Sequence, residues 1–271
     1  METWMRFLST DDRIVFGKVE DGNLHEHLSL EHPVPTGAVL PVSALKALAP
    51  CAPRKVVALW NNFHALAAKL EKPVPAHPLF LIKPAESVIG AGEPILRPAH
   101  YAGKIAYEGE LGIVIGKRCR DVSVAEAATS IFGYTIVNDV TAAELLNENP
   151  HFPQWCRAKG FDTFCCLGPA IATDFDWRSA RVVTTLDGVE RQNYPLSDMV
   201  FTPAEQVSMI SQDMTLEPGD VIACGTSLGV GSIKEGGSVS IAIDGIGTLT
   251  NQLVTAGLAA RQPASAAASA G

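Results

Sequence analysis

The stretch from Ile105 to Gly116 constrains this chain more than any other. Ile105-Ala106-Tyr107-Glu108-Gly109-Glu110-Leu111-Gly112-Ile113-Val114-Ile115-Gly116 reads as one strand, apolar and rich in β-branched residues, closed by glycine. Side chains alternate along a strand, so Glu108 and Glu110 share one face and Tyr107, Leu111, Ile113 and Ile115 the other. Two carboxylates about 4 Å apart at an effective dielectric near 20 repel by roughly 4 kcal/mol. A second apolar run, Ile131 to Val137, delivers Asn138-Asp139 at its end. Glu108, Glu110 and Asp139 offer acidic oxygens with no His or Cys beside them, a donor set that suits Mg²⁺ or Mn²⁺ ahead of Ca²⁺ or Zn²⁺. A solvated strand face with a turn aspartate is the competing reading of the E-x-E pair alone.

The rest of the chain can bury such a strand. It has 271 residues, 47% hydrophobic and only 18% charged, enough for one large domain and a small one. Its 23 Gly and 18 Pro imply many turns and hence many strands. Strands are expected at Val56–Trp60, Pro78–Pro84 and Val239–Leu249, and a hairpin at Thr184–Gln192 with Asp187-Gly188 at its tip. Helices are expected from Asn61 to Leu70, Ser123 to Ser130 with a Ser123/Glu126 capping box, and Pro203 to Ser211. Shorter ones are expected at Ser43–Leu48 and Thr141–Leu146, and a type II turn at Glu217–Asp220. The pattern predicts an α+β fold, predominantly β, with a small N-terminal module over residues 1–52, a main domain over 53–254 and a disordered tail over 255–271.

A net charge of −8 with no Lys/Arg cluster argues against nucleic acid. Six cysteines without C-x-x-C spacing, no signal-like leader and no membrane-length apolar window point to reduced thiols and a cytoplasmic protein without a membrane partner.

Four blocks together resemble the fumarylacetoacetate hydrolase superfamily. They are Tyr107-Glu108-Gly109-Glu110-Leu111 through Lys117; Gly133 through Thr141; Lys159-Gly160-Phe161-Asp162-Thr163-Phe164 with Leu167-Gly168-Pro169; and Leu216 through Ile222 with Gly225-Thr226 and Gly229-Val230-Gly231. The resemblance implies a mixed β-sandwich roll, usually a homodimer, with Glu108, Glu110 and Asp139 binding the cation. It further implies that Lys159 adds positive charge beside an enolate or carboxylate, and that the Gly225–Gly231 loop, with the Thr226 hydroxyl, receives a substrate carboxylate. That loop lacks the order of a phosphate-binding loop. Gln154 and Arg157 stand as further anion contacts, with an exposed loop as the alternative.

One departure decides the expected reaction. Hydrolytic members carry N-Y-x-x-H followed three residues later by Glu, a pair that activates water. Here Asn62, Phe63, His64, Ala65 and Leu66 stand in that order, and Lys69 follows. Leu66 cannot move a proton, and His64 lies two positions earlier, about 200° round a helix. The expectation is a metal-dependent enzyme acting on a 2-oxo or 2-hydroxy-dienoic acid, as in catabolism of aromatic compounds, by decarboxylation or keto–enol isomerisation. The alternatives are a carbon–carbon hydrolase with a replacement base such as His64, and a silent, metal-holding dimer that binds a carboxylate.

Overall fold

The computed structural model describes residues 1–255. The tail expected from residue 255 onward lies, but for its first residue, outside the described residues. The fold is mostly β, with three sheets and four α-helices among the described residues.

The largest sheet has twelve strands. Across it run Pro35–Pro41, Asn23–His27, Ile14–Glu20, Glu2–Leu8, Cys165–Thr173, Ile131–Asp139, Gly109–Ile115, Val221–Ala223, Lys55–Trp60 and Leu79–Pro84. Two short strands pair off this path. The N-terminal meander is therefore continuous with the central strands: Glu2 pairs with Thr173 and Trp4 with Ile171. A five-stranded sheet, ordered Val189–Pro195, Arg181–Leu186, Ser238–Ile243, Gly247–Thr255 and Ile95–Arg97, faces the first. A three-stranded sheet joins Thr141–Ala142, Ile105–Tyr107 and Gly231–Ile233.

The strand Gly109–Ile115 is buried along its whole length. Leu111, Ile113 and Ile115 pack with Val182, Val239, Ile241 and Leu249 of the five-stranded sheet. Val114 faces the other way, into a core shared with Trp4, Phe16, Val56 and Val137. Apolar side chains on both faces explain why its sequence is nearly continuous in hydrophobicity.

The expected strand from Ile105 to Gly116 is in fact two. Ile105–Tyr107 belongs to the three-stranded sheet and Gly109–Ile115 to the twelve-stranded one, so the chain crosses between sheets at Glu108. The Glu108 N–H turns to Asn138 Oδ1 at 3.1 Å, and its carbonyl accepts from Asp139 N–H at 3.0 Å. Two short helices also differ. Ser43–Leu48 is a 3₁₀ turn, Val42–Ala44, followed by Lys46–Ala47, which pairs with Phe7 and Leu8. Thr141–Ala142 pairs with Ile105 and Ala106 before the 3₁₀ turn Ala143–Asn147. In both places ladder bonds to a distant strand override local helix propensity.

The capped helices form as expected. Val124–Ser130 carries the Ser123/Glu126 box, and Pro203–Asp213 carries a second one from Thr202 and Glu205. Asp187 and Gly188 both take positive φ, 51° and 78°, as a type I′ hairpin requires. Gly219 sits at φ 86°, where the type II turn needs a left-handed residue.

Candidate metal and substrate site

Pairing at the end of two long strands assembles the acidic group. Gly109 lies opposite Asn138, which sets Glu108 and Glu110 on either side of that pair and Asp139 next to it. One carboxylate oxygen from each of Glu108, Glu110 and Asp139 lies within 4.8 Å of the others. Glu110 is fully buried, Asp139 nearly so, and Glu108 partly.

Two lysines reach this cluster from opposite sides. Lys159 ends the short helix Trp155–Lys159, and its Nζ donates to Asp139 Oδ2 at 2.6 Å, Thr141 Oγ1 at 2.7 Å and Glu108 Oε1 at 2.9 Å. Those three contacts use all three ammonium protons. Thr141 Oγ1 passes its own proton to Glu108 Oε1 at 2.7 Å. Lys83, on the strand Leu79–Pro84, donates to Asp139 Oδ1 at 2.5 Å and to the Val140 carbonyl at 3.4 Å. Its side chain has no exposed surface.

Charge and burial compete at each group. Burial opposes ionisation of Asp139, but Lys159 and Lys83 overcome it and hold this carboxyl below its usual range. Burial pulls the Lys159 ammonium down, while Asp139, Glu108 and Glu110 together push it well above the ordinary lysine value. Glu110 makes no ion pair among the described residues, and Lys159 acts on it without bonding it. Burial first, then Asp139 and Glu108, raise its carboxyl well above the usual range.

Glu110 also carries the evidence for an ion. Its Oε2 accepts from the Gly225 N–H at 2.8 Å, but its Oε1 is buried with no hydrogen-bond partner. A buried carboxylate oxygen left bare is costly, roughly 1–3 kcal/mol or more for a charged group. Counted as ionised, three carboxylates facing two ammonium groups leave one negative charge in excess. A hard divalent cation held by oxygens of Glu108, Glu110 and Asp139 would satisfy the bare oxygen and reverse that excess. The residues fit such an ion.

The remaining expected residues are placed as follows. Thr226 is buried beside Glu110's partner Gly225, but its hydroxyl donates to the Gly109 carbonyl at 2.9 Å and accepts from Gln192. The next residue, Ser227, has a buried hydroxyl without a partner, so the loop still holds an unused donor. Arg157 is on the solvent side of the Lys159 helix, about 200° round from Lys159, and pairs with Glu148. Gln154 stands at the start of that helix and donates to the Phe152 carbonyl at 3.2 Å. Neither is brought to the triad. His64 opens the helix His64–Lys69 and is exposed, as is Lys69 at its end. Leu66 packs against the main core.

Lys83, Thr141 and Gln192 belong to the site and were not singled out from the sequence. For Lys83 a signal existed: it shares the inward face of its strand with Leu81, an unusual place for a lone ammonium.

Comparison with known proteins bears out the fold. The family described as fumarylacetoacetate (FAA) hydrolase C-terminal matches residues 55–254. The structure is similar to that of 2-hydroxyhepta-2,4-diene-1,7-dioate isomerase from Mycobacterium marinum, with TM-score 0.85 and 38% identity over 95% of this chain and 100% of that one. The sequence is similar to oxaloacetate tautomerase YisK of Bacillus subtilis, 35% identical over 77% of this chain and 72% of the relative. A fumarylpyruvate hydrolase from Pseudomonas aeruginosa, solved with Mn²⁺ and pyruvate, superposes with TM-score 0.70 and 29% identity over 78% of this chain and 92% of that one. No helix among the described residues is long and apolar enough to cross a membrane.

Proposed function

This chain belongs to the fumarylacetoacetate hydrolase family, and we propose that it catalyses keto–enol isomerisation of a 2-oxo acid or 2-hydroxy-dienoic acid with Mg²⁺ or Mn²⁺ at Glu108, Glu110 and Asp139. The observation that carries the reading is a cation-ready triad backed by Lys159, in a chain whose residue 66 is a leucine packed against the core. Tautomerisation moves one proton between C3 and the 2-oxo oxygen and consumes no water. It needs charge stabilisation on that oxygen and does not need a water-activating histidine. The isomerase and tautomerase among the relatives support this choice.

When bound, the cation supplies Lewis-acid polarisation of the 2-oxo group. Lys159 stays protonated and presents its ammonium at the edge of the triad, where it favours a carboxylate or developing enolate oxygen. The strands on both sides keep the cluster dry, which strengthens that interaction. Thr141 fixes the ammonium relative to Glu108. The Gly225–Gly231 loop, bonded to Glu110 through Gly225 and with an unpartnered Ser227 hydroxyl, would receive the substrate carboxylate.

The test is a panel of oxaloacetate, a 2-hydroxy-dienoate and an acylpyruvate, each with Mg²⁺ or Mn²⁺ and with products identified by mass. Rapid interconversion of keto and enol forms, with slow acylpyruvate cleavage, is expected. Fast acylpyruvate hydrolysis, or release of CO₂ as the main reaction, would replace this reading.

A further inference from the structure

The two glutamates of the triad are joined by one residue, and that residue is held from both ends. The Gly109 N–H donates to Gln192 Oε1 at 3.0 Å. Its carbonyl accepts from Tyr194 Oη at 2.5 Å and from Thr226 Oγ1 at 2.9 Å. Gln192 closes the ring by donating through Nε2 to Thr226 Oγ1 at 2.9 Å and to the Leu228 carbonyl at 3.3 Å. One end of this amide therefore grips the Glu108-Gly109-Glu110 segment, and the other grips the Gly225–Gly231 loop. Gln192 is 1% exposed, so water does not compete for these bonds.

The local backbone accounts for this placement. Thr184 pairs with Gln192 and Thr185 with Glu190, so Arg191 is an extra residue, a β-bulge. Without it, Glu190 and Gln192 would share a face. With it, Glu190 is exposed while Gln192 and Tyr194 turn inward onto Gly109. The bulge also lies directly under the loop: a Cβ on Gly229 would come 2.0 Å from the Arg191 carbonyl oxygen. Gly109 tolerates no side chain either, since a Cβ there would meet Thr184 Oγ1 at 2.3 Å.

We propose that Gln192 is a positioning residue that ties the cation site to the substrate loop, and that Thr226 is its counterpart in that tie. The Thr226 hydroxyl has a single proton, and it lies on the Gly109 carbonyl. Gln192 touches none of the three carboxylates, yet it sets the backbone from which two of them project. The ligand named here rests on the function proposed above; the tie to the cation site does not.

The test measures Mn²⁺ binding to the full chain by calorimetry after EDTA treatment, then pyruvate binding to the Mn²⁺-loaded protein. Gln192→Leu is expected to weaken Mn²⁺ about tenfold or more, the usual effect of losing an outer contact that orients ligands. The nearly isosteric Thr226→Val should act in the same direction, Thr226→Ser should restore the affinity, and the double variant should lose less than the sum of the two. A purely structural role would lower the melting temperature in EDTA without changing Mn²⁺ affinity, and that result overturns the proposal. So does a Thr226→Val protein that keeps Mn²⁺ affinity and loses only pyruvate, which would mark Thr226 as a carboxylate contact. If Gln192→Leu does not fold, the two Thr226 variants decide. A wild type that binds Mn²⁺ but neither binds pyruvate nor turns over any 2-oxo acid sinks the proposed function and leaves the tie to be judged on Mn²⁺ alone.

Discussion

Lys83 and Lys159 hold opposite oxygens of the same aspartate, but the regions that present them differ. Lys83 comes from the strand Leu79–Pro84, paired residue by residue with Lys55–Trp60, and its ammonium bonds Asp139 and the Val140 carbonyl. Lys159 comes from a helix of five residues, and it contacts Glu108, Asp139 and Thr141. Lys83 is thus committed to one carboxylate, whereas Lys159 spans two of the three and the Thr141 hydroxyl between them. On the function proposed above, the difference would separate two duties: Lys83 would orient a ligand of the cation, and Lys159 would supply charge to what binds next to it.

The sharpest way to break this comparison is to remove the two ammonium groups in turn. Lys83→Met takes one cation from a dry carboxylate and should destabilise the protein by about 3 kcal/mol, the low end for a broken buried pair because Lys159 remains. Chemical denaturation measures it, and Mn²⁺ affinity should fall alongside. An unchanged denaturation midpoint would remove Lys83 from the site. Lys159→Met strips a buried ammonium from both Glu108 and Asp139, so it too should cost stability, and beyond that it should lower kcat by about 10²–10³, the range for deleting one stabilising donor. Steady-state kinetics checks this, and an effect confined to KM would reduce Lys159 to a binding residue.

Removal of the ion tests both lysines together. EDTA should lower Tm and abolish turnover, and Mg²⁺ or Mn²⁺ at a hundredfold excess over Kd should return about 2.7 kcal/mol. Thermal melts with and without chelator decide it, and coincident curves would take Glu108, Glu110 and Asp139 out of the site. The smallest effect belongs to His64. Exposed at the first turn of its helix, it should tolerate His64→Ala with less than about a twofold change in isomerisation, since surface substitutions usually stay within 0.5 kcal/mol. A collapse of activity in that variant would restore the hydrolase reading.

How legible these parts were in the sequence follows from their surroundings. Glu108, Glu110 and Asp139 stood out because charges on an apolar strand violate its own pattern. Lys159 was readable only through the block around it, since a lysine on a short loop-like segment has no pattern to violate. Gln192 was hidden by its neighbours: Val189, Glu190, Arg191 and Asn193 are all exposed, so the hairpin reads as solvated. The bulge at Arg191 that turns Gln192 inward is a one-residue slip, and alternation cannot register it. The break at Glu108 was harder to see, because Gly109 beside it is its one signal and the segments on either side both read as strand.

That break has a consequence for how the protein comes to hold an ion. Glu108 lies at the junction of two sheets, and its partners arrive from far along the chain: Lys159 is 51 residues away, and Asp139 is itself bonded to Lys83 across 56. Metals often act as early clamps on small loops, binding a local pair of ligands before the rest of a chain has condensed. Glu108 and Glu110 offer only two such ligands here, because the third arrives when Ile131–Asp139 pairs with Gly109–Ile115 and both balancing lysines come from elsewhere in the chain. A cation held by all three carboxylates would therefore be a latecomer to folding. It should slow unfolding without hastening refolding, and its retention reports whether the whole β framework is intact.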